Sequence, residues 1–357
     1  MHTQSKFKLL VVRLGAMGDI LHALPAVTAL RHAHPGWLID WAVEPSWRPL
    51  LSARSNSNEI GQDALQPIVD SLHLAPTKTW RNHSLRASTI REISSLRQNL
   101  RSRGYDAILD LQGAIRSAVL GRLTGCPRRI GEWEPREHAA RFLFTECIVT
   151  HGAHVIEQDL ELATAVAGDI LEASRPQLPV DPEAELWCDE LLPRHANQPV
   201  VLMNPGAGWG AKRWPSDRYA IVAADLAHQG YRVLINAGPG EESLAHDIRE
   251  QSHDAATVVT SSLSQLIALT RRVSLVIAGD TGPLHLACAL GRPVVGIYGP
   301  TDPSRNGPFG TRSRVLRSPD SRRDHTRRTE TEAGLLTISP QDVLQAAGEL
   351  LAEETLA

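Results

Sequence analysis

The run Gly279-Asp280-Thr281-Gly282-Pro283-Leu284-His285-Leu286 permits few local structures. The apolar residues before it, Leu275–Ala278, read as a buried strand, and Asp280-Thr281-Gly282 turns the chain. Pro283 then sits where a helix can begin, because the first turn of a helix does not need its N–H. The remaining N–H groups of that turn make an anion site that can hold a phosphate. Val294–Tyr298 is a second strand, ended by Gly299-Pro300. Strand, anion-binding turn, helix and strand form one half of a phosphate-binding α/β unit.

The same grammar recurs along the chain. Leu9–Val12 is a strand, and Arg13-Leu14-Gly15-Ala16-Met17-Gly18-Asp19 turns into an apolar helix from Ile20. Further strands are expected at Leu38–Val43, Ala107–Leu111, Ile148–Thr150, Val200–Met203 and Tyr231–Asn236. Between Leu85 and Leu100, Ile90, Ile93, Leu96 and Leu100 recur at helical spacing, and Gly104 is placed to end that helix. Other helices are expected at Glu183–Leu192, Asp217–Gln229, from the Gly238–Glu241 turn to Ser252, and at Ser264–Arg272. Thr311–Glu332 reads as a polar, mobile loop. Ser339-Pro340-Gln341-Asp342 caps a terminal helix from Gln341 to Leu351. Alternating strands and helices imply parallel sheets with crossover helices.

Length favours two domains, since 357 residues exceed one ordinary core. The expected division is an N-terminal Rossmann-like domain over residues 1–173, a Pro-rich acidic linker over 174–199, a C-terminal Rossmann-like domain over 200–335, and a terminal helix over 336–357. Cys126, Cys147, Cys188 and Cys288 show no zinc or disulfide spacing and read as reduced thiols of a cytoplasmic protein. No apolar run approaches the ~20 residues that cross a bilayer. The N-terminal apolar run stops at Arg13, too soon for a signal peptide. Any membrane role is therefore expected to be peripheral.

Charge is unevenly placed. Lys78 to Arg141 carries 13 Lys or Arg against 6 Asp or Glu, a balance of +7, so the rest of a chain of net −3 carries −10. Such a segment suits an anionic partner. It has no zinc-finger or RNA-binding signature, so nucleic acid is not expected. A solvated helix face remains the plain alternative.

Four collinear segments together resemble the bacterial lipopolysaccharide heptosyltransferases of glycosyltransferase family nine, and heptosyltransferase I in particular. They are Arg13–Ala26, Tyr105–Ser117, Asn204-Pro205-Gly206-Ala207-Gly208-Trp209-Gly210-Ala211-Lys212-Arg213-Trp214-Pro215, and Gly279–Pro303. The resemblance implies the glycosyltransferase-B architecture: two facing Rossmann-like domains with a cleft between them. It also implies an inverting transfer of heptose from ADP-heptose to an inner-core sugar, Kdo or heptose, of lipopolysaccharide. Asp110–Gly113 and Arg136-Glu137 sit nearer to the first transfer, onto Kdo. The location implied is the cytoplasmic face of the inner membrane, with the protein a peripheral monomer.

In that reading Asp19 is the catalytic base. A sugar hydroxyl needs a carboxylate within hydrogen-bond reach to lose its proton as it attacks. An Asp at that position can also merely cap the following helix. Lys212 is the second catalytic group, stabilising charge on the departing diphosphate, and the adjacent Arg213 can share that task. Asn204, Gly206, Asp280, Thr281, Gly282, Leu284 and His285 complete the donor set. Within it, Thr281 and the N–H groups of Thr281, Gly282 and Leu284 hold phosphate, while Asp280 takes sugar hydroxyls or fixes its loop. His285 can equally be a packed residue. Glu241 is the candidate for the ribose hydroxyls, with Glu242 an equal competitor.

The acceptor set is Gly15, Met17, Gly18, Lys78, Arg81, Gln112, Arg116 and Arg136. The family's adjacent basic pair is only partly kept, because Thr79 follows Lys78 and Asn82 follows Arg81. Trp47, Trp80 and Trp133 can stack on sugars, though burial is expected for each. No Asp-x-Asp pair stands in these segments, so no metal and no cofactor beyond the donor substrate are expected.

Two alternatives belong to other classes. Gly15–Gly18 looks like part of a dinucleotide fingerprint, with Asp40 as its ribose acid, but Arg13 occupies the first glycine position. The other is a nucleotide-sugar binding protein without turnover.

Overall fold

The computed structural model describes residues 6–54, 60–83, 86–192, 198–323 and 328–355. The chain divides into two compact units, 1–180 and 181–357.

The first unit contains strands β1 (Lys8–Val12), β2 (Leu38–Val43), β3 (Ser71–Leu74), β4 (Ala107–Asp110), β5 (Arg129–Glu132) and β6 (Glu146–Ile148). Its helices are α1 (Met17–Ala33), α2 (Thr77–Asn82), α3 (Ala87–Arg103), α4 (Ile115–Leu123) and α5 (Val155–Ala167). The strands form one parallel sheet in the order β3-β2-β1-β4-β5-β6. β1 is central and apolar throughout because both of its faces are covered.

The second unit repeats the plan. Helix α6 (Pro182–Leu191) precedes β7 (Val200–Asn204), α7 (Ser216–His228), β8 (Arg232–Ala237), α8 (Glu242–Gln251), β9 (Ala256–Thr260) and α9 (Leu263–Thr270). There follow β10 (Leu275–Gly279), α10 (Gly282–Ala289), β11 (Val294–Tyr298), α11 (Pro303–Asn306), β12 (Ser313–Arg317) and α12 (Pro340–Thr355). The sheet is again six-stranded and parallel, ordered β12-β11-β10-β7-β8-β9. Each unit thus has the doubly wound order, and in each the order reverses beside the first strand. Loops at the carboxyl ends of the strands near that reversal are where such sheets bind ligands.

Several expectations are corrected. Thr311–Glu332 is not all loop, since Ser313–Arg317 forms edge strand β12; its arginines hide the strand pattern, as charges on edge strands commonly do. The sixth strand of the first sheet is Glu146–Ile148, not Ile148–Thr150. In α3 only Leu96 and Leu100 of the apolar stripe are buried, and Ile90 is exposed; Leu85 lies outside the described residues. The terminal helix is no appendage: Val343, Ala346, Ala347, Leu350 and Leu351 of α12 belong to the second unit's core. Within the expected linker, α6 is tied to the end of α9 by ion pairs from Arg271 and Arg272 to Glu185.

Candidate functional site

In the first unit the loop after β1 is built around Gly15. Its φ is +150°, and a Cβ there would stand 2.6 Å from Nε1 of Trp47, so a side chain is excluded. The Gln112 carboxamide oxygen accepts from the N–H groups of Leu14 (3.0 Å) and Gly15 (3.3 Å). Gln112 is itself fixed by Asp110, whose Oδ1 accepts from the N–H groups of Gln112 and Gly113 and from the Ser117 hydroxyl. Gln112, expected beside the acceptor, is buried and supports the loop.

Asp19 stands in the first turn of α1. Its Oδ2 accepts from Ala16 N–H at 3.0 Å, and its Oδ1 lies 3.6 Å from a guanidinium nitrogen of Arg13. The helix-capping role and an available carboxylate coexist, because the side chain keeps 35% of its exposure. Met17 is buried and Gly18 half-buried beside it.

Arg13 is buried among acids. Burial pushes the Asp159 carboxyl up to about 7, with Arg13 opposing and Asp19 and Glu132 adding to the rise. Burial likewise pushes Asp110 up to about 6, against the hydrogen bonds it accepts and the charge of Arg13. Asp159, on α5, did not stand out in the sequence; it is one acid in an amphipathic helix, and only packing shows it to be buried.

The basic candidates follow successive strands of this sheet. Lys78 and Arg81 are exposed on α2, after β3. Glu44, at the end of β2, sets the start of that helix by accepting from the Thr77 hydroxyl (2.5 Å) and Lys78 N–H (3.1 Å). Arg116 is exposed on α4, and Arg136 in the loop after β5. The latter two are brought together: Glu137 N–H donates to Gly113 O, and Ile115 N–H donates to the Glu137 carboxylate. Trp133 is not buried as expected. It is 44% exposed, and the Arg141 guanidinium lies 4.6 Å from its ring centroid and 5.2 Å from that of Phe142.

In the second unit the Asp280 loop closes on Lys212. Lys212 Nζ is 2.6 Å from Asp280 Oδ2 and 3.2 Å from its carbonyl oxygen, while His285 Nε2 lies 3.1 Å from Oδ1. Burial raises the Asp280 carboxyl, but the His285 hydrogen bond and charge, followed by Lys212, outweigh it and hold it well below the usual range. The packed alternative for His285 and its site role thus meet in one contact. Arg213 is exposed, and among the described residues its side chain reaches the Ala207 carbonyl at 3.3 Å. Trp214 packs edge-on against Tyr219 of the next helix.

Leu284 N–H, expected on phosphate, donates to Thr281 O at 3.1 Å. Among the described residues the N–H groups of Thr281 and Gly282 carry no such bond, so those two donors of the turn remain available. Asn204 ends β7, and Gly206 follows. A Cβ at Gly206 would fall 2.0 Å from the Glu241 carboxylate, whose Oε2 accepts from Gly238 N–H. Glu241 is therefore seated against the end of β7, whereas Glu242 opens α8.

Asp40, the ribose acid of the dinucleotide alternative, is 1% exposed within β2. It accepts from Arg103 Nε (2.8 Å) and Nη2 (3.0 Å) and from the Tyr105 hydroxyl (2.8 Å). Buried in the sheet and held by these partners, it is not presented to a ribose, and that alternative falls.

The sequence profile of glycosyltransferase family 9 (heptosyltransferase) matches residues 93–336, more than half of the chain. The chain belongs to this family. Lipopolysaccharide heptosyltransferase 1 of Escherichia coli K12 is 28% identical over 87% of this family 9 chain and 94% of its own. Lipopolysaccharide heptosyltransferase 2 of Salmonella typhimurium is 27% identical, over 97% and 99%. Among solved structures, E. coli heptosyltransferase WaaC with ADP-2-deoxy-2-fluoro heptose superposes with a TM-score of 0.74 at 27% identity, covering 96% of this chain and 99% of that one. The family 9 fold and the doubly wound sheets described above therefore agree.

Proposed function

We propose that this heptosyltransferase moves heptose from ADP-heptose to an inner-core sugar, Kdo or heptose, of lipopolysaccharide, with inversion and without a metal ion. The observation that carries the reading is the Lys212–Asp280–His285 cluster beside the unbonded N–H groups of Thr281 and Gly282. A cation and aligned donors at one turn are what a departing diphosphate requires. Glu241 is the ribose acceptor, being the glutamate seated against β7.

Asp19 takes the proton of the acceptor hydroxyl, whose oxygen bonds to the anomeric carbon as the carbon–phosphate oxygen bond breaks. The pair of electrons from that bond leaves with ADP, and Lys212 and the Thr281–Gly282 turn stabilise the charge. Lys78, Arg81, Arg116 and Arg136 grip the anionic acceptor. No described helix is long and apolar enough to cross a membrane. A peripheral contact with the cytoplasmic face of the inner membrane is supported by exposed Phe142, Trp133, Ile115 and Val119 with Arg116 and Arg141 beside them. Such mixed apolar and basic faces suit anionic lipid surfaces.

The test is release of ADP from ADP-heptose in the presence of Kdo-bearing lipid A, with and without excess EDTA. Sugar-dependent turnover that survives chelation supports the reading. Failure to transfer heptose to any inner-core acceptor overturns it, and loss of activity restored by Mg²⁺ overturns its metal-free form.

A further inference from the structure

Three adjacent strands of the second sheet end in polar side chains that bond in a line. Asn204 closes β7, Asn236 is the penultimate residue of β8, and Ser261 follows β9 directly. The Ser261 hydroxyl donates to Asn236 Oδ1 at 2.6 Å, and Asn236 Nδ2 donates to Asn204 Oδ1 at 3.0 Å. Asn204 and Asn236 are 3% and 6% exposed.

The line ends on a donor with no acceptor. Asn204 Nδ2 is buried and has no hydrogen-bond partner among the described residues. An amide N–H2 removed from water without an acceptor loses its hydration uncompensated, so such groups are rare unless something else supplies the acceptor. In the observed arrangement the Ser261 hydroxyl donates to Asn236 Oδ1 and Asn236 Nδ2 donates to Asn204 Oδ1, so the Asn204 oxygen lies inward and its Nδ2 is the far end of the line. That end lies at the carboxyl edge of β7, two residues before Gly206 and its Glu241 contact, and Asn204 pairs in register with Ala278 just before Asp280.

We propose that Asn236 and Ser261 are positioning residues that lock the Asn204 carboxamide, so that its Nδ2 donates to an oxygen of the nucleoside diphosphate of the donor. This rests on the donor site proposed above and extends it to two residues that do not themselves touch the ligand. A carboxamide free to rotate would present its oxygen to the anion for part of the time. The bond from Asn236 holds the Asn204 oxygen inward before binding and so restricts that rotation.

The experiment measures ADP and adenosine binding by calorimetry on the full chain, with Tm followed for each variant. Asn204→Ala and Asn236→Ala should each raise the Kd for ADP by about tenfold, and Ser261→Ala by about threefold, the scale of one charge-assisted bond or part of it. Ser261→Thr, which keeps the hydroxyl, should bind as wild type. The double variant Asn204→Ala/Asn236→Ala should bind ADP no more weakly than Asn204→Ala alone, because the second residue acts only through the first. Adenosine, which lacks the diphosphate, should bind all variants alike. Additive losses, or an equal weakening of adenosine, would overturn the inference. So would an unchanged ADP Kd in both Asn236→Ala and Ser261→Ala, the latter being the milder change if the former folds poorly. Wild-type chain without affinity for ADP would overturn the donor site as well.

Discussion

Lys212 Nζ and Asp280 Oδ2 stand 2.6 Å apart, although 68 residues separate them in the chain. The Lys212 side chain is 18% exposed and that of Asp280 7%, so this pair is largely withdrawn from water. The lysine is therefore held by the aspartate beside the Thr281–Gly282 turn. In the proposed function a diphosphate would compete for the same ammonium, and His285 would still bond Asp280.

Lys212→Ala should weaken ADP and also lower stability, by about 1–3 kcal/mol, less than a fully broken buried pair because His285 remains. The Asp280 carboxyl is depressed from its ordinary 3.8. Its contribution is thus fully present above that pH and is lost as pH falls below it. Acid titration of Tm should show Lys212→Ala losing less stability than wild type between about pH 4 and pH 2. Equal losses in the two proteins would mean that Lys212 does not hold the carboxylate.

Asp19→Asn should keep donor affinity and lower turnover by about 10²–10⁴-fold, the usual worth of a general base. Ala16 N–H can still donate to the Asn oxygen, so the α1 cap survives and Tm should barely move. Wild-type turnover on a true acceptor would reduce Asp19 to a cap.

Asp159→Asn should stabilise the protein in a pH-dependent way. The folded carboxyl is raised to about 7 by burial, so the unfolded chain ionises first and wild-type stability falls as pH rises from about 4 to 7. The gain in Tm for the variant should grow over that interval and level off above it. A uniform gain at all pH values would show that the carboxyl is not raised. Asp110, raised to about 6, is unchanged in the variant and should leave some residual slope.

Arg81→Ala, Arg116→Ala and Arg136→Ala should each raise the acceptor KM while ADP affinity stays the same. These side chains are exposed in the free protein, so each loss should be modest, on the order of 0.2–1 kcal/mol unless the acceptor desolvates them. High salt should mimic the changes, because screening acts first on exposed charges. If KM is unmoved in all three, the +7 segment is a solvated face.

The strands legible in advance were those buried on both faces. β1, β2, β4, β7, β8, β10 and β11 are largely apolar runs, because a central parallel strand has no face to give to water. β3, β9 and β12 escaped notice because they are sheet edges with polar residues among few apolar ones. β5, four residues long with Arg129 and Glu132 at its ends, offered too little apolar run to read. The Asp280 turn was legible because Gly and Pro punctuate it and their backbone limits are local.

The sequence by itself determined the alternation of strands and helices, the glycine-bearing turns after β1 and β10 and the residue types available to them, all properties of neighbours along the chain. Only the tertiary structure seated Glu241 rather than Glu242 against the end of β7, placed Asp280 against Lys212 rather than Arg213, turned Asp40 into a buried ion-pair residue, and bonded Asn204, Asn236 and Ser261 in a line. These are contacts between residues about 25 to 70 positions apart. Each depends on strand order and register, which set which side chains share one edge of a sheet, and on burial, which makes an unpaired charge or amide costly enough to fix its partner.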